Sequence, residues 1–188
     1  MSDFEFMFAL FGLLLGLSIA ELLSGLARAI EERLGSRRGF RLGWLTPLLA
    51  AFVLLDLLSF WGAAWLTRDL VRVSGESLML VTAFASAYYM AARLVFPRDV
   101  DAIERLDEHF FRIRRIVIGI LFVLLIVQMT WYASLPELAP RLVRPLSLSL
   151  TCLLGVLMIL AAFLPRGRLL TLVMAALVGR YVISYLVF

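Results

Sequence analysis

Long uninterrupted apolar runs alternate along this chain with short segments that hold nearly all of its charge. An apolar helix of about 20 residues, rising about 1.5 Å per residue, crosses a hydrocarbon core of roughly 30 Å. Six runs reach that length, and they predict membrane-crossing helices over residues 7–26, 44–66, 77–96, 116–136, 145–165 and 169–188. Between the third and fourth, Val100, Ile103, Leu106, Phe110 and Ile113 recur at helical spacing after Pro97. That spacing predicts an amphipathic helix over 98–115 on the cytoplasmic membrane surface, opened by the proline. Its acidic first half (Asp99, Asp101, Glu104, Asp107, Glu108) and basic end (Arg112, Arg114, Arg115) suit the helix dipole. It reads as a connector or as a docking element. The predicted fold class is all-α: a polytopic transmembrane helix bundle of six spans forming a single integral membrane domain over 1–188.

Composition strengthens this picture. Of 188 residues, 63% are hydrophobic and the mean hydropathy is +0.98, more apolar surface than a water-soluble domain of this size can bury. The formal charge of +4 suggests a nucleic-acid footprint until the basic residues are placed at the ends of apolar spans, so no nucleic-acid partner is expected. Lysine and asparagine are absent, and all 18 basic residues are arginine. A Schiff-base lysine and a P-loop lysine are thereby excluded. His109 is the sole histidine, against a bis-histidine haem or a histidine-based zinc site, and Cys152 has no cysteine to pair with. His109 reads as solvated, Cys152 as a small packing residue. No cofactor, metal or catalytic constellation is expected, which leaves a lipid-processing enzyme the weakest functional class. The missing residue types suggest a GC-rich bacterial genome and hence a bacterial inner membrane.

Arginine placement chooses the orientation. Thirteen arginines fall in or beside the first, third and fifth loops, against Arg68, Arg72, Arg141 and Arg144 on the other side. By the positive-inside rule those three loops are cytoplasmic and both termini are outside. Asp3 and Glu5 precede the first span where a signal peptide carries basic residues, so that span is expected to remain in the mature protein. The cytoplasmic segments 27–43 and 97–115 are candidate docking sites for a partner.

Two constellations are candidates for function. Gly12, Gly16, Ala20 and Ser24 recur every fourth residue along span one, a groove for close helix packing within the bundle or along a homo-oligomer seam. Charged or polar residues inside the spans form the other. Counted from the predicted cytoplasmic edges, Asp56, Gln128 and Arg180 lie at similar depth near the midplane, with Tyr88, Tyr89 and Thr151 reaching it from the opposite side. An isolated charge at a helix centre costs about 2.5 to 3.5 kcal/mol on insertion scales, so Asp56 and Arg180 are expected to meet. Glu21 in span one reads as snorkelling to the inner interface or pairing with Arg28, or as a gate or relay. The polar layer suggests ion, proton or small-solute permeation. The alternative is a non-catalytic scaffold or accessory subunit whose Asp–Arg pair is structural.

Overall fold

The computed structural model describes residues 3–35, 43–68, 74–98, 106–142 and 144–187. These form seven helices: α1 (Asp3–Leu34), α2 (Leu45–Leu66), α3 (Gly75–Val95), α4 (Leu106–Ser134), α5 (Ala139–Leu142), α6 (Pro145–Phe163) and α7 (Arg168–Val187). All but the four-residue α5 are long and apolar enough to cross a membrane. No strand occurs among the described residues.

Boundaries follow local chemistry. Ser74 caps α3 by accepting from the Ser77 amide, and the Ser77 hydroxyl accepts from the Ser74 amide, closing a capping box. Phe96 is extended, as a residue before proline prefers, so α3 ends before Pro97. Pro145 starts α6 where its missing amide costs nothing. Two predicted elements change. The first span grows into the 32-residue α1, and residues 106–115 of the expected surface helix run without a break into the fourth span as α4. Residues 99–105 of that expected helix lie outside the described residues, as do 36–42 of the first candidate docking loop.

Interhelical contacts fix the relative directions. The Ser77 hydroxyl reaches Met7 Sδ at 3.8 Å, so α1 and α3 start at the same end and run parallel. At the opposite end α2 and α4 start together, where the Thr46 hydroxyl donates to the Leu106 carbonyl at 3.1 Å. α2 packs on α1, α3, α4 and α7, while α6 touches α4 and α7. The core gathers around α2, with Leu49, Phe52, Val53 and Leu57 buried at helical spacing. The end where α2, α4 and α7 begin is flanked by the arginine-bearing loops and is the arginine-rich end of the bundle.

Candidate functional site: an aspartate held by two tyrosines

Asp56 sits midway along α2, one turn beyond Phe52 and Val53. Tyr88 of α3 donates its hydroxyl to Asp56 Oδ2 at 2.8 Å, and Tyr181 of α7 donates to Oδ1. Both tyrosines are almost fully buried. One carboxylate thus joins three helices, each oxygen taken by a different neighbour.

Arg180 is half-buried on the flank of α7, beside the seam formed by Leu170, Met174, Leu177 and Tyr181. Its charge acts on Asp56 through space, but no direct ion pair joins them among the described residues. The guanidinium instead lies over the Tyr181 ring at 4.7 Å, and its buried Nε has no hydrogen-bond partner. The expectation of a direct Asp–Arg contact is therefore corrected: the neighbouring tyrosine takes the aspartate. Nothing in the sequence of α7 could decide this, because a helix apolar all round does not reveal its inward face.

The other members of the expected layer are dispersed. Asp56 stands ten residues beyond Thr46, whereas Gln128 stands twenty-two beyond Leu106, which is level with Thr46. Gln128 therefore lies well beyond Asp56, toward the opposite end, where it donates to the Tyr132 hydroxyl at 3.0 Å. The depth estimate failed because α4 begins ten residues before the predicted edge at Ile116. Tyr89 faces outward, as the residue after an inward-facing one must on a helix. Thr151 bonds back to the Ser147 carbonyl of its own helix, which packs on α4 and α7 rather than α2.

Glu21 does have a charged partner, though not Arg28. Arg93 Nη1 of α3 meets Glu21 Oε1 at 3.0 Å, with both side chains about one quarter exposed. Arg28 donates instead to the Arg98 carbonyl at 3.4 Å. The pairing follows from the parallel course of α1 and α3, since Glu21 and Arg93 lie at similar distances from the Met7–Ser77 contact.

The small-residue row on α1 also points elsewhere than into the bundle. Gly16, Ala20 and Ser24 are exposed, Gly12 is half-buried beside Trp61, and a Cβ added at Gly16 meets no atom. The inward face of α1 carries Phe11, Leu15, Ser18, Leu22, Gly25 and Ala29. At Gly25 the Phe96 ring occupies the space a Cβ needs. His109 is not free in solvent either: it is half-buried, and its Nε2 lies 3.1 Å from the Leu94 carbonyl. That oxygen can only accept, so the ring nitrogen donates and ties α4 to the end of α3. Cys152 is exposed on α6 rather than packed.

A cleft of about 240 Å³ opens between α1, α2, α3 and α4 on the side away from the arginine-rich end. Its walls are mostly apolar and aromatic, with Thr67, Ser77, Gln128 and Tyr132 as polar points. Phe60 and Phe84 stack at 4.4 Å in its wall, and both rings also pack against Tyr88. This aromatic pair lies between the cleft and the Asp56 cluster. No group of three His, Cys, Asp or Glu side chains among the described residues could hold a metal ion. Compared with known protein families, with curated proteins and with solved structures, the chain matches none.

Proposed function

We propose that this chain is a non-catalytic scaffold or accessory subunit of a bacterial inner membrane, its polar groups inside the bundle serving to fix helix pairing. One observation carries the reading: both oxygens of Asp56 are occupied by hydroxyls from two other helices, which leaves the carboxylate committed to packing. The Glu21–Arg93 pair repeats the pattern between α1 and α3. In this reading the arginine-rich loops face the cytoplasm, where 27–43 and 97–115 meet partners, and both termini are outside. The exposed Gly16, Ala20 and Ser24 row supports a homo-oligomer seam along α1.

Permeation is the second reading, favoured by Arg180. A half-buried guanidinium deep in a span, with an unpartnered Nε beside Asp56, suits transient binding of an anion or a proton relay. Flux in vesicles separates the two. A scaffold gives no ion or proton flux in the parent and reduced folded yield for Asp56→Asn. Flux that Asp56→Asn abolishes in a still-folded protein transfers the assignment to permeation.

A further inference from the structure

At the arginine-rich end, the first turns of α4 meet the last turn of α6 and the segment leading into α7. Arg114 is only 6% exposed there, yet among the described residues its one hydrogen bond is a long one, 3.4 Å from Nη1 to the Ala161 carbonyl. Its Nε is buried without a partner. Two more guanidinia lie close by. Arg114 and Arg166 approach the same Phe111 ring, at 4.8 and 4.4 Å, so they are within two ring-contact lengths of each other. Arg115 lies over Phe163 at 5.4 Å. Ring faces favour a cation but leave its charge in place. None of the three arginines makes an ion pair among the described residues. Among the described residues, Asp107 and Glu108 line the same cavity as Arg166; Asp107 accepts from the Leu45 amide, and Glu108 is exposed.

We propose that this junction binds a phosphoryl anion through Arg114, Arg115 and Arg166. Guanidinium suits the task because its planar fork matches two phosphoryl oxygens at once, and neither Asp107 nor Glu108 forms an ion pair with these arginines among the described residues. The buried Nε of Arg114 supplies a donor in need of an acceptor, and the exposed Arg115 and Arg166 supply two that can close over it. Basic pockets between spans at the level of the headgroups are where anionic phospholipids dock. The same chemistry accepts free phosphate.

The test uses the full chain in nanodiscs of phosphatidylcholine, with and without phosphatidylglycerol. Native mass spectrometry reads the lipid retained, and thermal melting reads stability. The parent is expected to retain phosphatidylglycerol over phosphatidylcholine by about tenfold, the size of one charge-assisted contact set. Arg115→Gln with Arg166→Gln should bring retention to the phosphatidylcholine level while melting in pure phosphatidylcholine stays put. Those two side chains are exposed, so the variant folds even if Arg114→Gln does not. Arg33→Gln with Arg112→Gln removes equal charge elsewhere and should keep the preference. If inorganic phosphate raises melting in phosphatidylcholine discs, for the parent but not the Arg115/Arg166 variant, and no lipid preference appears, the ligand is free phosphate. The proposal is overturned by absence of both effects, by a preference that the Arg115/Arg166 variant keeps, or by an equal loss in the Arg33/Arg112 control.

Discussion

Gly43 and Asp107 show how a single residue can depend on another far along the chain. The first amide of α2 has no local cap, since Trp44 offers no acceptor; Asp107 Oδ1 accepts from Leu45 N at 3.2 Å instead. Gly43 turns the chain into that contact at φ +65°, where a side chain is strained, and a Cβ there runs into the Asp107 carboxylate. Gly43→Ala should lower stability by about 2 to 3 kcal/mol, from the left-handed backbone together with the lost cap. Asp107→Ala alone should cost about 1 kcal/mol. In the Asp107→Ala background Gly43→Ala should then cost only the backbone part, and additive losses in thermal melts would disprove the shared contact. At Asp56, Tyr181→Phe removes a hydroxyl from a buried carboxylate and should cost about 1.5 to 3 kcal/mol. Asp56→Asn and Tyr181→Phe should couple strongly in a double-mutant cycle, and Asp56→Asn with Arg180→Gln more weakly. Equal coupling energies would restore the arginine as the direct partner. Asp56 and Tyr88 stand out in the sequence as polar residues in apolar spans. Tyr181 does not, because an aromatic residue beside an arginine looks like a neighbour rather than a ligand.

For the helices, α1 makes the sharpest case. Periodicity in small residues picked out Gly12, Gly16, Ala20 and Ser24, whereas the buried stripe is offset from it and carries Gly25 against Phe96. Small residues permit close approach, but they do not say which face is approached. Gly25→Leu should overfill the α1–α3 contact and unfold the protomer at lower temperature. Gly16→Leu meets no atom within the chain, so it should leave protomer melting unchanged and act only on self-association, measured by light scattering in detergent. Matching destabilisation at both positions would show that the outer row also packs within the bundle. The Glu21–Arg93 pair ties the same two helices, and stranding one charge costs about 2.5 to 3.5 kcal/mol on insertion scales. Glu21→Gln or Arg93→Gln should therefore each reduce folded yield more than the two together, and a double change as harmful as the sum would speak against the pair. Spans two, five and six were legible almost to the residue because a long apolar run has only one way to satisfy its backbone in lipid. The start of α4 was not, since the charges at 107–115 read as a separate surface helix rather than as the first turns of the fourth span, yet Leu106 and Phe110 beneath them are fully buried.

Among the described residues, three of the six long helices start at each end, and in the proposed orientation the arginine-rich end faces the cytoplasm. Reporter fusions after Arg38 and after Asp107 should both read as cytoplasmic; periplasmic activity at either would reverse the assignment. The bundle's polar centre also sets an order of assembly. Asp56 belongs to the second helix made, Tyr88 to the third and Tyr181 to the last. While the chain is being synthesised, the aspartate emerges before either hydroxyl exists, and one of its oxygens waits until the final span is released. Chains cut short before α7 should therefore leave one oxygen of the Asp56 carboxylate without its hydroxyl, which makes the last helix the one that completes the polar centre.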